Sequence, residues 1–284
     1  MTYPIGMFDS GLGGLSVARR VLERLPGERI LYFADTAHVP YGERPLDEIR
    51  EFALGIVGFL IGRGAKAVVM ACNMSSAVAL DAARQAYPDT PIIGVIEPGA
   101  KAAVDVANGS PIGVLATTGT IRSEAYVRAV ARFDPSAKVF GQACPKFVPL
   151  IESGLHDSEQ AKEAARTYVE PLLAQGCGAI ILGCTHYPFV ARAIRAAVGN
   201  GVKIVDPAEE TASVLEKTLL ERGLLSEQPD SPHEFFASGD SSGFATLGSA
   251  FLGRTINRVE KAVISLQLSV VSRDTDSLIL RTDN

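Results

Sequence analysis

Two cysteines, Cys72 and Cys184, each directly follow a short apolar run and precede polar residues. The segments around them are similar, because an offset of 112 residues (184 − 72) also aligns Gly64 with Gly176. A thiol is a weak acid that can take up or release a proton. A strand that is repeated and delivers a thiol twice predicts two related thiols around one site. Such a site suits a reaction that treats two faces of a substrate alike.

Each cysteine has candidate partners for proton transfer. His186 lies two residues after Cys184, and an imidazole can accept a thiol proton or stabilise a thiolate. Asp9 could play the matching part for Cys72, and Glu152 is a further acidic candidate near His186. The other two cysteines, at positions 144 and 177, have no such setting and are predicted to be structural.

The segment 9–14 reads DSGLGG between a predicted strand and a predicted helix. Its glycines permit a tight turn whose N–H groups could bind an anion at the helix N-terminus. The carboxylate of Asp9 would repel a phosphate, which argues against a nucleotide. Asp9 is therefore interpreted as a base or an ammonium partner, and a simple helix cap is the alternative.

Other strand-exit loops offer hydroxyl groups and turn amides that suit the carboxylate or ammonium group of an amino acid. These candidate binding residues are Pro40, Tyr41, Gly42, Ser75, Thr117, Thr118 and Thr120.

The elements that must position these residues alternate along the chain. Apolar segments predict strands at 4–8, 29–34, 66–71, 91–95, 111–116, 137–141, 178–183 and 202–205. Segments of helical period lie between them, for example at 121–132 and 188–198. This order predicts an α/β fold with doubly wound parallel sheets.

A second pair of similar segments indicates that each half begins with a similar strand. These segments are IGMFDS at 5–10 and IGVLAT at 112–117. We expect two similar domains related by pseudo-symmetry, with the site in the cleft between them, since ligands bind beyond the carboxyl ends of such strands. The predicted boundaries are 1–96 plus 207–266 for the first domain, 97–206 for the second and 267–284 for a tail of unknown structure.

The composition narrows the class of protein. The 284 residues carry a net charge of −5 and no basic block, so a nucleic-acid partner is not expected. No apolar run approaches the roughly 20 residues of a membrane span. Four cysteines do not make a disulfide framework. We expect a cytoplasmic protein and a homodimer, with no metal and no membrane partner.

Together these segments resemble the cofactor-independent glutamate racemases of the aspartate/glutamate racemase superfamily. The resemblance spans residues 5 to about 207, and the remaining helices through about 264 also fit. Its motifs are DSGLGG at 9–14, PYG at 40–42, ACN at 71–73, LATTGTIRS at 115–123, PLIESG at 149–154 and GCTHYP at 183–188.

The resemblance implies racemisation without pyridoxal phosphate or another cofactor. One cysteine thiolate removes the α-proton of glutamate, and the other thiol delivers a proton to the opposite face. By position, Cys72 would serve D-glutamate and Cys184 L-glutamate, assisted by Asp9, Glu152 and His186. The substrate-holding positions that match are Ser10, Pro40, Tyr41, Gly42, Asn73, Thr117, Thr118, Thr120 and Thr185. The product D-glutamate would enter bacterial peptidoglycan.

The chain departs from the family pattern at Met74, where the family usually has a threonine that helps to hold the substrate. Methionine cannot donate a hydrogen bond, so Ser75 is a candidate substitute. Three alternatives stay open: a racemase of aspartate or another amino acid, a thiol hydrolase built on Cys184 and His186, and a metal-binding or other non-enzymatic binding protein.

Overall fold

The computed structural model describes residues 3–227 and 232–264. The strands are β1 (Ile5–Asp9), β2 (Ile30–Ala34), β3 (Ala67–Met70), β4 (Ile92–Gly94), β5 (Ile112–Ala116), β6 (Val139–Ala143), β7 (Ala179–Gly183), β8 (Lys203–Val205), β9 (Glu234–Ala237) and β10 (Glu260–Lys261). The helices are α1 (Leu15–Arg24), α2 (Leu46–Gly62), α3 (Asn73–Ala86), α4 (Ile96–Ala107), α5 (Thr118–Arg122), α6 (Ala125–Phe133), α7 (Phe147–Glu152), α8 (Glu159–Ala174), α9 (Ala191–Val198), α10 (Pro207–Glu221) and α11 (Ser241–Leu252).

The strands form two parallel sheets, which confirms the predicted fold class. A six-stranded sheet has the order β10-β9-β2-β1-β3-β4, and a four-stranded sheet has the order β6-β5-β7-β8. The first four strands of each half therefore share one arrangement, with β1 corresponding to β5 and β3 to β7. Cys72 follows β3 and Cys184 follows β7, so the two thiols occupy equivalent places.

The larger sheet is covered on both faces, and its central strands β2 and β3 are apolar at every position. Along β3, Val69 faces one hydrophobic cluster, whereas Val68 and Met70 face another. Successive side chains of a strand point to opposite faces, so a continuous apolar run fits only a sheet that is buried on both sides. Helices α2 and α3 pack together on one of these faces, and α1 packs with α10 and α11 on the other.

All eight predicted strands are present, but the sequence prediction missed two others. β9 pairs with β2, and β10 extends the same edge. The single helix predicted at 121–132 is two helices, α5 and α6, separated at Glu124, whose φ of 52° is left-handed. The helix predicted at 188–198 begins with a 3-10 turn at Tyr187–Val190. The predicted tail at 267–284 lies outside the described residues.

The distribution of strands supports the proposed division into domains. Strands β1 to β4, β9 and β10 belong to the larger sheet, and β5 to β8 belong to the smaller one. Both chain crossings, before α4 and at Pro207, therefore fall close to the proposed boundaries. In the described part of the chain, no helix has the length and apolar character needed to cross a membrane. All four cysteines are free thiols.

Candidate active site

A cavity of about 440 Å³ lies at the carboxyl ends of both sheets, within the usual range for small-molecule sites. Its walls contain both Cys72 and Cys184. Of the predicted site residues, the others that line it are Asp9, Ser10, Pro40, Tyr41, Gly42, Asn73, Thr117, Thr118, Thr120, Glu152, Thr185 and His186. Residues more than 170 positions apart meet here because each parallel sheet brings the carboxyl ends of its strands to one edge, and both edges border the cavity.

Cys72 and Asp9 form one pair. Both side chains are buried, and Asp9 Oδ2 accepts a hydrogen bond of 3.0 Å from the backbone N–H of Gly11. Burial raises the pKa of Asp9, against the lowering effects of His186, nearby backbone N–H groups and the Cys72 thiol. Burial, together with the adjacent Asp9 carboxylate, raises the pKa of Cys72 to about 12. The Cys72 thiol is therefore protonated at neutral pH and can act as a proton donor.

Cys184 has a different set of neighbours. The Nδ1 atom of His186 lies 3.9 Å from its Sγ, and the Nε2 atom lies 3.1 Å from Oε1 of Glu152. Burial lowers the pKa of His186, but hydrogen bonds to Cys184 and Glu152 and the nearby negative charges outweigh it and raise the pKa to about 10. His186 is therefore an imidazolium at neutral pH, with its Nδ1 directed at the Cys184 sulfur.

The loop of Pro40, Tyr41 and Gly42 is anchored from beneath by a buried carboxylate. The Tyr41 hydroxyl donates to Oδ2 of Asp35 at 2.5 Å. Asp35 is also bound by His38 Nδ1 and the Ser238 hydroxyl, each at 2.7 Å. Ser238 follows β9, so one of the strands that the sequence prediction missed helps to fix a wall of the cavity.

The glycine loop at 9–14 binds the Asp9 carboxylate through the Gly11 N–H, which is therefore not available to another anion. Its glycines instead allow two loops to touch. A Cβ atom at Gly13 would overlap Thr185 Oγ1 and lie 2.5 Å from His186 Nδ1. The loop that carries Cys184 therefore packs directly on the loop that carries Asp9.

The remaining polar wall comes from the second half. Thr117 caps α5, and its Oγ1 lies 3.1 Å from Oγ1 of Thr120. Thr120 is buried, whereas Thr118 is exposed at the rim. Opposite them, Asn73 is the first residue of α3 and is buried. These groups supply hydroxyl and amide donors on more than one side of the cavity.

Ser75 departs from its predicted role. It is fully buried and is not among the residues that line the cavity. Its backbone N–H and hydroxyl lie by Cys72 instead and lower the pKa of that thiol, against the larger effect of burial. Ser75 thus supports the thiol rather than contacting the cavity, and the prediction that it holds the substrate has no support in this geometry.

Several lining residues were not predicted to belong to the site. Among them are Met74, which is buried, and Cys144, which lies close enough to Cys184 for a thiolate there to raise the Cys144 pKa beyond the effect of burial. The rest are Gly11, Val39, Pro145, Val148, Pro149 and Gly183. Gly11 and Pro149 lie in the motifs DSGLGG and PLIESG, so a motif-wide prediction would have found them.

Two further observations bear on the open alternatives. Within residues 3–227 and 232–264, no group of three His, Cys, Asp or Glu side chains could hold a metal ion, so a metal site has no support there. A larger cavity of about 520 Å³ lies beside β4, α4 and α10. It contains no cysteine or histidine, so the thiol chemistry belongs to the smaller cavity.

Comparison with known proteins agrees with this geometry. The sequence profile of the Asp/Glu/Hydantoin racemase family matches residues 5–215. The glutamate racemase of Desulforudis audaxviator is 44% identical over 257 residues, which cover 88% of this chain and 94% of that protein.

Solved structures give the same result. The crystal structure of a glutamate racemase isoform from Bacillus anthracis has a TM-score of 0.88 at 37% identity and covers 92% of this chain and 98% of that one. A glutamate racemase from Francisella tularensis, solved in complex with D-glutamate, has a TM-score of 0.86 at 33% identity, with coverage of 94% and 98%. A profile match over most of the chain, close relatives and a shared fold lead to one conclusion: this chain belongs to the Asp/Glu/Hydantoin racemase family.

Proposed function

We propose that this protein is a glutamate racemase that interconverts L- and D-glutamate with two thiols. The observation that carries the proposal is the placement of Cys72 and Cys184 at equivalent strand ends on the wall of one cavity. Relatives at 44% and 45% identity are glutamate racemases, and the Francisella tularensis structure holds D-glutamate. Cys72, Cys184, Asp9, His186 and Glu152 are the proposed catalytic group.

The protonation states of the side chains around the cavity favour one starting state of the enzyme. Cys72 keeps its proton because its pKa is raised to about 12, and His186 keeps its own because its pKa is raised to about 10. In the proposed starting state Cys184 is the base, with Nδ1 of the His186 imidazolium 3.9 Å from its sulfur. The free enzyme would therefore hold a base on one side of the cavity and an acid on the other, as a two-base reaction requires.

The proposed step is balanced. The Cys184 thiolate takes the α-proton of L-glutamate and becomes a thiol, while Cys72 gives its proton to the opposite face and becomes a thiolate. While Cys72 is protonated, its thiol can donate a hydrogen bond to Asp9, and when D-glutamate is the substrate the Cys72 thiolate regains a proton from the α-carbon. The reverse reaction uses the same groups in exchanged roles, with Cys72 removing the proton from D-glutamate.

An α-proton is very weakly acidic, so the cavity must also stabilise charge that develops toward the substrate carboxylate. Donors aimed at such charge contribute roughly 2.7–4 kcal/mol each when they are fixed before reaction. The hydroxyl and amide groups of Ser10, Asn73 and Thr185 line the cavity at this point. Holding the reacting groups in place can lower the activation barrier by roughly a further 7–11 kcal/mol.

The wider role is part of the same proposal. A D-glutamate product would be supplied to peptidoglycan synthesis in the cytoplasm, and the active protein would be a homodimer. Light scattering of the purified protein tests the dimer, for which the expected result is twice the 30.0 kDa chain mass.

The deciding experiment uses each glutamate enantiomer in D2O without added cofactor. Racemisation with deuterium entering the α-position of the product is expected, and failure with both enantiomers contradicts the proposal. Aspartate is run in parallel, since faster turnover of aspartate would favour the alternative substrate.

Cysteine variants separate the two-thiol account from the hydrolase alternative. Cys72→Ala and Cys184→Ala should each abolish racemisation in both directions. Cys177→Ala is the matched control, because Cys177 is buried but is not among the residues lining the cavity. A fully active Cys72→Ala together with an inactive Cys184→Ala would show that one thiol suffices and would favour the hydrolase.

A further inference from the structure

Tyr126 makes a hydrogen bond that joins the two halves of the protein. It is the second residue of α6, in the half that contains the smaller sheet, whereas Asn73 begins α3 in the other half. The Tyr126 hydroxyl donates to Oδ1 of Asn73 at 2.8 Å. The two residues are only 3% and 6% exposed, so water does not compete for this bond.

The surroundings of the hydroxyl fix the direction of the bond. Burial raises the pKa of Tyr126, and the nearby Cys184 and Asp206 raise it further, so the hydroxyl keeps its proton. Among the described residues, it has no hydrogen-bond partner other than Asn73. The phenol oxygen could also accept from an NH2 group, but its own buried proton would then have no acceptor, so the hydroxyl faces the amide oxygen.

This arrangement also orients the other end of the amide. Asn73 lines the cavity, and its Nδ2 atom is not among the fully buried unpaired polar atoms of the described residues. With Oδ1 turned toward Tyr126, the NH2 group is the part of the side chain left to donate at the cavity that Asn73 lines. An amide turned the other way would place its oxygen against an approaching carboxylate and repel it.

The ring of Tyr126 contacts the second thiol strand. A Cβ atom at Gly183 would lie 3.1 Å from Cε2 of Tyr126, so the ring rests on the residue that precedes Cys184. Asn73, in turn, follows Cys72 directly. One side chain therefore links the neighbour of the first thiol to the neighbour of the second.

We propose that Tyr126 is a positioning residue that holds the Asn73 amide with its NH2 group directed at the substrate carboxylate. Tyr126 does not line the cavity and acts through Asn73. The substrate in this statement rests on the proposed function, whereas the orientation of the amide rests on the contact alone.

The first test is Tyr126→Phe, which keeps the ring on Gly183 and removes only the hydroxyl. We expect kcat/KM for glutamate to fall about tenfold, since a buried acceptor loses its partner and the amide is free to turn. Tyr168→Phe is the control, because it also removes a buried hydroxyl, one that accepts from the Lys146 N–H and lies outside the cavity wall. It should change kcat/KM by less than about twofold.

A double-mutant cycle with Asn73→Ala distinguishes positioning from a general structural effect. The readouts are kcat/KM and the Kd of glutamate by calorimetry, so the cycle can be completed even if Asn73→Ala has no turnover. When Asn73 is present, Tyr126→Phe should weaken kcat/KM and glutamate binding about tenfold. In the Asn73→Ala background the same substitution should change them by less than about twofold. Equal costs in both backgrounds would overturn the proposal.

A third measurement needs no substrate. The Asn73 side-chain NH2 signal in a ¹H–¹⁵N spectrum is assigned by its loss in Asn73→Ala. It should shift in Tyr126→Phe and stay in place in Tyr168→Phe. An unmoved signal in Tyr126→Phe overturns the inference. A shifted signal in an enzyme that does not racemise glutamate supports the inference and contradicts the proposed function instead.

Discussion

The imidazole of His186 lies between a thiol and a carboxylate, with Nδ1 3.9 Å from Cys184 Sγ and Nε2 3.1 Å from Glu152 Oε1. The histidine is buried, whereas the Glu152 side chain is 49% exposed. The charge of Glu152 is therefore screened by solvent, and its influence on His186 should be real but moderate.

Glu152→Gln tests this relationship. The carboxylate helps to raise the pKa of His186 to about 10, so removing its charge should lower that pKa. The alkaline limb of the kcat/KM profile should then move to lower pH, with a loss at neutral pH of less than about tenfold. Glu159→Gln is the control, because Glu159 is an exposed residue that pairs with Lys162 and is not among the residues lining the cavity. An alkaline limb that does not move would contradict an effect of Glu152 on the pKa of His186.

The Cys72 thiol should resist alkylation at neutral pH. Burial and Asp9 raise its pKa to about 12, so the reactive thiolate is scarce until the pH is strongly alkaline. In Asp9→Asn the thiolate should form at lower pH, because the negative charge that helps to raise the Cys72 pKa is removed. Labelling with iodoacetamide across pH, followed by peptide mass spectrometry, measures both proteins. Identical pH profiles for the two proteins would contradict the assigned effect of Asp9.

Gly13→Ala should disable the site without unfolding the protein. The new Cβ would force Thr185 and His186 to move, and a displacement of about 1 Å can cost roughly 10²-fold in rate. Gly62→Ala is the control, since a Cβ there meets nothing within 4 Å and the position is helical. Racemase assays and thermal melting of both variants give the comparison. A Gly13→Ala protein with unchanged kcat would show that the two loops can separate freely.

Lys66→Met should lower the stability while leaving the site intact. Lys66 Nζ lies 2.7 Å from Glu28 Oε2, and both side chains are almost fully buried, at 5% and 1% exposure. Removing the cation leaves a buried carboxylate without a cationic partner, which typically lowers the free energy of unfolding by about 3–5 kcal/mol. Urea unfolding measures this loss, and the KM for glutamate should not change.

The matched control for Lys66→Met is the surface pair of Arg24 and Glu216, in which both side chains are more than a third exposed. Glu216→Ala should cost no more than about 1 kcal/mol. A Lys66→Met protein that is no less stable than Glu216→Ala would contradict the assigned role of the buried pair.

Much of the fold was predictable because most of the strands are short, largely apolar runs. Runs such as AVVM in β3 fit a sheet that is buried on both faces, and the eight strands read from the sequence are present. β10 was missed because it is only two residues long, and β9 was missed because it pairs at one edge of the larger sheet with β2, far from it in sequence. No local pattern encodes a pairing between β2 and a strand 200 positions later.

Part of the candidate site could likewise be predicted from the sequence, and part could not. The repeated cysteine segments and the polar strand exits could be read from the sequence, because parallel strands bring their carboxyl ends together wherever the loops lie along the chain. The close packing of Gly13 on Thr185 and the burial of Ser75 could not be read, since both depend on how two distant loops meet.

The sequence by itself determined which residue types stand at the strand ends, and therefore two thiols with an aspartate and a histidine nearby. Only the tertiary structure decided how these groups differ. Proton affinity depends on burial and on charges within a few ångströms, and those distances exist only after folding. Folding places Cys72 beside Asp9, Cys184 beside the His186 imidazolium, and the Asn73 amide under the Tyr126 hydroxyl.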